Sequence, residues 1–138
     1  MHTVNENYKA ISLLRPQVAT STATGTGVDV SEYGDDAMAI LDVGAVSGTT
    51  PTLDVVIQTS ATVGGTYSTE LTFAQVTAAN KFAAGRVNLD GPNSGGLARK
   101  FVRALATIAG TTPSFTFGVS LLVRAAIGKT ALNSATPA

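Results

Sequence analysis

Apolar and polar positions alternate along most of this chain, and the alternation stops at glycine, proline or asparagine every 8–15 residues or so. Leu53, Val55 and Ile57 fall on one side of a run whose other side is Asp54, Val56 and Gln58. Phe115, Phe117, Val119, Leu121 and Val123 form a longer stripe, roughly 30 Å at ~3.3 Å per residue. Period two over such lengths predicts half-buried strands. Further strands are predicted in Ala10–Ala19, where Pro16 points to a sheet edge, at Val28–Val30, in Ala37–Val46 and in Phe82–Leu89. Gly64-Gly65 predicts a hairpin whose return strand is Tyr67–Phe73. Ala74–Asn80 reads as a loop or one helical turn, and Asp90–Gly96 as the strongest loop signal. A mainly helical chain does not fit, because threonine and valine are frequent and glycine interrupts throughout.

One motif occurs twice. An apolar run reaches Gly48-Thr49-Thr50-Pro51 and an alternating run leaves it; the same order surrounds Gly110-Thr111-Thr112-Pro113. Glycine accepts backbone angles that other residues avoid, and proline cannot donate to a ladder, so both motifs are expected to be chain reversals. Two hairpins follow, Ala39–Ile57 and Arg99–Ala125, with Asp42 and Asp54 facing each other across the first. The predicted architecture is all-β: an antiparallel β-sandwich or jelly-roll of about seven to eight strands, with flexible N- and C-terminal extensions. Residues 1–9 are expected to be a polar arm, 10–127 the sandwich domain and 128–138 an extension.

Composition sharpens this picture. The 138 residues suit one domain and need no disulfide or metal staple; there is no cysteine. Nine Lys/Arg balance nine Asp/Glu, so no global field draws the chain to nucleic acid or an anionic membrane. Charged residues make up 13%, against roughly 25% for an ordinary soluble domain. A weakly charged, neutral surface tends to associate, which points either to coverage by other subunits or to a hydroxyl-rich surface that keeps itself soluble. No apolar run reaches the ~20 residues of a membrane helix, and the polar start does not resemble a secretory signal, so synthesis in a cytoplasm is expected.

Catalysis needs ionisable groups converging in a cleft. The single histidine, His2, lies in the arm, and no nucleophile–base arrangement can be drawn from the body of the chain, so no enzyme activity is expected. Asp29, Glu32, Asp35 and Asp36 form the one acidic cluster. Oxygen ligands at that density suit a hard cation, but the spacing of a calcium loop is missing, and the plainer reading is a solvated turn. Neither Gly25-Thr26-Gly27 nor Asp90–Gly96 carries a phosphate-loop signature, and no cofactor is expected. Arg99, Phe101 and Arg103 share one strand face, with Lys100 opposite. They fit a charge-protected strand edge or a salt-bridging contact with a neighbouring subunit. With no tryptophan present, Tyr33 and Tyr67 are the best candidates for a sugar-stacking platform.

The order Gly27-Val28-Asp29-Val30 with Tyr33, an apolar strand ending at Gly44, the turn Gly64–Tyr67 and the block RKFVRALATIAGTTPSFTFGVSLLV (Arg99–Val123) resembles small β-rich virion proteins of tailed bacteriophages, capsid decoration (cement) proteins among them. The resemblance runs from Ser12 to Ala126. It implies a sandwich or jelly-roll, often trimeric, that binds the major capsid protein and bridges shell subunits of a virion assembled in the host cytoplasm. On that reading Tyr8, Lys9, Arg99, Phe101 and Arg103 are candidate subunit or capsid contacts, and Met1–Lys9 or Leu132–Ala138 reaches a neighbour. A neck, tail or head-spike component, or a carbohydrate or host-surface binding module, is the alternative.

Overall fold

The computed structural model describes residues 8–92, 96 and 98–125; the two terminal extensions expected from the sequence lie largely outside them. The described residues form seven strands and no helix: β1 (Tyr8–Ala19), β2 (Ala23–Thr24), β3 (Val28–Asp29), β4 (Tyr33–Ser60), β5 (Ser68–Thr72), β6 (Lys81–Asn88) and β7 (Phe101–Ala125). Every pairing between strands is antiparallel. This is the all-β antiparallel sandwich class that the alternation predicts. Tyr8 and Lys9, placed in the arm by the sequence reading, already belong to β1.

The two expected Gly-Thr-Thr-Pro hairpins do not form. β4 and β7 each run straight through their motif and pair with each other over nearly their whole length, from Tyr33↔Ala125 to Ser60↔Phe101. Leu53 therefore lies opposite Ile108 rather than folding back on its own strand, and Asp54 lies opposite Thr107, not Asp42. The reason is local. Gly48 and Thr50 have φ of 109° and 47°, and Gly110 and Thr112 have 122° and 46°, so each motif kinks its strand twice without reversing it. The two motifs meet at the Thr49↔Thr111 pair. Between Ser47 and Thr49 the extra residue is on β7, and between Thr49 and Thr52 it is on β4, giving two facing bulges. Each glycine lies against the partner's bulged Thr-Pro. A Cβ on Gly48 would sit 2.6 Å from the Thr112 carbonyl oxygen and 2.9 Å from the Pro113 Cα; one on Gly110 would sit 2.7 Å from the Thr50 oxygen and 2.9 Å from the Pro51 Cα. The twofold repetition in sequence is thus a local twofold in space.

Beyond this crossing the long strands enter two layers. The first has the order β1–β7–β4–β6, using the C-terminal half of β7 and the N-terminal half of β4. The second pairs the other halves with each other, with β2 and β3 beside β7 and β5 beside β4. Their inner faces form one apolar cluster. Leu41, Val43, Val87, Phe115, Phe117 and Leu121 come from the first layer; Leu53, Val55, Ile57, Val102 and Ala104 come from the second. Burial falls on even positions of β7 before its motif and odd positions after it, because the single extra residue there shifts the pleat by one. The sides of the sandwich are closed as well. Gly25 packs under the Leu13 backbone and donates to the Ala104 carbonyl (2.9 Å), while Leu71 of β5 lies over Gly85 of β6. Ala74–Asn80 is extended loop rather than helix: Val76 and Leu53 exchange two 2.9 Å hydrogen bonds, and the Asn80 N–H donates to the Gly44 carbonyl.

Candidate interaction surface

Because odd positions of β4 face the core, its even positions and those of its neighbours make the outer face of the first layer. Reading across the strands in register gives Ala10–Leu122–Met38–Arg86, then Ser12–Ser120–Ile40–Ala84, then Gly118–Asp42–Phe82. Five large apolar side chains stand out as exposed among the described residues, and four of them are on this face: Tyr8 (39%), Val18 (66%), Met38 (45%) and Phe82 (67%). The fifth, Val63, is in the β4–β5 turn. Two depressions mark the face. One of 290 Å³ is lined by Tyr8, Asp36, Met38, Arg86, Leu122 and Arg124. The other, of 520 Å³, is lined by Pro16, Ile40, Asp42, Gly44, Thr116 and Gly118, among others. Asp36 and Arg86 pair at 2.6 Å within the face. Asp42 and Arg124 are both exposed and make no ion pair or side-chain hydrogen bond among the described residues.

The outer face of the second layer is different: its polar groups satisfy one another. Gln75 donates to both Asp54 oxygens (3.2 and 3.0 Å), and Arg103 Nε donates to Gln58 Oε1 (2.9 Å). The Arg103 guanidinium also stacks on the Tyr67 ring, 3.8 Å from its centroid, and the Tyr67 hydroxyl donates to the Val63 carbonyl. One ring face of Tyr67 is therefore occupied already, and Tyr33 packs against the core, so the two tyrosines do not make a sugar platform together.

The residues singled out from the sequence are spread over three places. Tyr8 and Lys9 are exposed on edge strand β1. Phe101 and Arg103 are on the outer face of β7 in the second layer. Arg99 is turned inward and is not a free contact residue. Its Nε and Nη2 donate to the Glu70 carboxylate at 2.8 and 3.1 Å, with side-chain exposures of 11% and 9%. Thr59, fully buried, donates to the same carboxylate at 2.6 Å. Arg99 Nη1 also donates to the Asp90 carbonyl, tying the Asp90–Gly91 loop to the sheet. This latch was invisible in sequence because Glu70 and Arg99 lie on separate elements.

The acidic cluster does not converge. Asp29 Oδ1 accepts from the Ser31 N–H (2.9 Å) and hydroxyl (2.7 Å), while Asp36 is engaged by Arg86. The Ser31 N–H, then its hydroxyl, hold the Asp29 pKa below the ordinary carboxylate value, with slight burial opposing and the Lys100 charge assisting. No group of three or more His, Cys, Asp or Glu able to hold a metal is found among the described residues; the Asp35 side chain lies outside them. The open face formed by Met38, Ile40, Phe82, Leu122 and Arg124 was not foreseen. The alternation of β4, β6 and β7 contains the signal, but only register shows that these positions share a side.

No protein-family model matches the chain, and no curated protein matches it in sequence. Solved structures share its fold. The PBSX exported protein XepA superposes with a TM-score of 0.57 at 17% identity, over 94% of this chain and 42% of XepA. A chain in the structure of infectious bursal disease virus (Gx strain) superposes with a TM-score of 0.58 at 15% identity, over 90% of this chain and 34% of the viral one. The SPBc2 prophage-derived protein YomS matches with a TM-score of 0.47 at 12% identity, over 86% of this chain and 93% of YomS. This chain spans well under half the length of XepA and of the viral chain. At these identities the likeness is one of fold: an antiparallel β-sandwich also found in a virus particle.

Proposed function

We propose that this chain is a non-enzymatic structural protein of a bacteriophage virion, most specifically a capsid decoration protein that binds the outer shell and bridges its subunits. The carrying observation is the outer face of the first layer, which carries four of the five exposed large apolar side chains among the described residues, together with two depressions. Solvated sheet faces are normally polar, and a face of this kind suits burial against protein. The sequence resemblance and the fold shared with a virus particle support the same reading. Many weak contacts of one small protein, repeated over a shell, add up through effective concentration, so no single site needs to be tight. Self-association belongs to this reading, with a trimer the state that the resemblance favours. The ring face of Tyr67 taken by Arg103 weighs against the carbohydrate-binding alternative.

The test is co-sedimentation of the purified chain with capsid shells of the encoding phage, alongside its mass in solution. Saturable binding at a fixed ratio to the major capsid protein supports decoration. Absence of shell binding together with a ring of higher order points to a neck component, and binding to glycans to the module. Deleting residues 1–9 or 132–138 tests the extensions; unchanged shell occupancy in both deletions rejects a role for them.

A further inference from the structure

We propose that the outer face of the first layer is a self-complementary contact between two copies of this chain, related by a twofold axis that lies in the interface and crosses the strands at the level of the Ala39↔Leu121 pair. The inference rests on the reading above that this face is buried against protein, and it names a second copy of the chain, not the shell, as the occupant.

Three observations carry it. The first is charge. Asp42 and Arg124 are exposed ionic groups of this face without a partner among the described residues, and they have opposite sign; Arg15, in the β1 irregularity between Leu14 and Gln17, is exposed and unpaired as well. They lie on adjacent strands at opposite ends of the patch: Arg124 is two residues beyond the Leu122–Met38 row, Asp42 two residues beyond the Ser120–Ile40 row. An axis midway between them reverses the order of the rows, so Asp42 of each copy meets Arg124 of the other, and the contact forms two ion pairs. In a single copy both charges face solvent.

The second is shape. The same reversal carries the protruding Phe82 of one copy toward the 290 Å³ depression of the other, and Tyr8 toward the 520 Å³ trough lined by Pro16, Gly44 and Gly118. Knobs and holes on one face thus match under the one operation that also matches the charges, which is the signature of an isologous contact.

The third is Gly44. Glycine within a strand is less stable than alanine by roughly 0.5–1 kcal/mol. Nothing inside the chain requires it here: its φ is not positive, and an added Cβ would meet only the Thr116 backbone oxygen at 3.7 Å and the Thr116 side chain at 3.9 Å, ordinary contact distances. A strand glycine with room for a side chain leaves space for something outside the chain to approach closely. In size the patch is adequate: four strands by about nine residues is roughly 19 Å by 30 Å, comparable, once relief is included, with the ~800 Å² per partner of a standard interface.

The experiment is sedimentation equilibrium or native mass spectrometry of the full chain, from 1 to 100 μM or so, with circular dichroism as a folding control. The wild type is expected to populate an even number of copies: two, or six if the threefold assembly favoured by the resemblance is also present. Asp42→Arg and Arg124→Asp should each weaken the twofold contact at least about tenfold, as should Gly44→Leu, which fills the trough. An equimolar mixture of the two charge variants should recover a heterodimer, as should the double variant with itself. A wild type that is monomeric throughout, an assembly with only odd numbers of copies, or association unchanged in all three variants overturns the proposal. So does failure of the charge-swapped pair to recover. If the wild type binds shells without ever self-associating and Asp42→Arg loses that binding, the occupant is the shell: the self-contact is then rejected while the virion reading stands. Absence of shell binding by the wild type itself rejects the decoration reading alone.

Discussion

Substituting Gly110 by alanine should be one of the most damaging single-methyl additions this chain can receive. The φ of 122° at that position is nearly closed to a residue with a Cβ, and holding one there costs about 1–3 kcal/mol. The added carbon would also sit 2.7 Å from the Thr50 oxygen and 2.9 Å from the Pro51 Cα. Both are backbone atoms of the opposite bulge, so no rotamer change relieves the overlap. Together these terms predict a loss of roughly 2–4 kcal/mol, a large share of the 5–15 kcal/mol typical of a domain. Gly48→Ala should lose a similar amount, since its Cβ would meet Thr112 and Pro113 in the same way. The double variant should lose less than the two singles added, because both bulges relax in one movement. Gly64, with open space around it and no positive φ, is the control; alanine there should change stability by no more than about 0.5 kcal/mol. The assay is urea unfolding followed by circular dichroism, read by linear extrapolation. A loss below about 1 kcal/mol at both Gly48 and Gly110 would refute the argument, for it would mean that the two motifs do not press on each other.

A cysteine pair at Thr49 and Thr111 should oxidise to an intramolecular disulfide, detected as a mobility shift without reductant; the chain has no other cysteine, and opposed antiparallel Cα atoms lie at bridgeable separations. Closing a loop of about 60 residues sets an upper stabilisation near 4 kcal/mol, and persistently free thiols would reject the crossing. Arg99→Met should destabilise by about 3 kcal/mol, because Glu70, at 9% side-chain exposure, loses its ion-pair partner and is left with Thr59 as a side-chain donor. Joint replacement of Arg99 by methionine and Glu70 by leucine should lose less than Arg99→Met alone, and simple additivity in urea unfolding would contradict this. Ser31→Ala should raise the Asp29 pKa toward the ordinary carboxylate value in an NMR titration. The native pKa is depressed, so the stabilisation is present above the unfolded-state value of about 3.9 and disappears as pH falls through the folded one. An unchanged Asp29 titration in Ser31→Ala would remove that cause.

Much of the strand plan was legible because each signal was local. Pro16 marked β1 as an edge strand, and β1 does pair with β7 alone, with a register irregularity between Leu14 and Gln17. Gly64-Gly65 announced the return to β5, and the alternation around Phe82 announced β6. The misreading of Gly-Thr-Thr-Pro has a physical origin. Glycine and proline mark any departure from a regular ladder, and a bulge uses the same residues as a turn. What decides between them is the strand lying opposite, and here each motif has the other copy opposite it, 62 positions away in sequence. The Arg99–Glu70 pair was not legible for a related reason: the charge of Arg99 suggested the surface, and its partner Glu70, distant in sequence, also accepts from Thr59. The open face of the first layer needed the register of four strands before Met38, Phe82 and Leu122 could be seen as neighbours.

In most sandwiches the halves are held together by side chains and a few loops. Here two polypeptide backbones pass from one sheet into the other at the same spot. A pull applied to either sheet is therefore carried into its counterpart by covalent bonds, and neither can peel away while the other persists. A small protein wired like this resists shear as one piece.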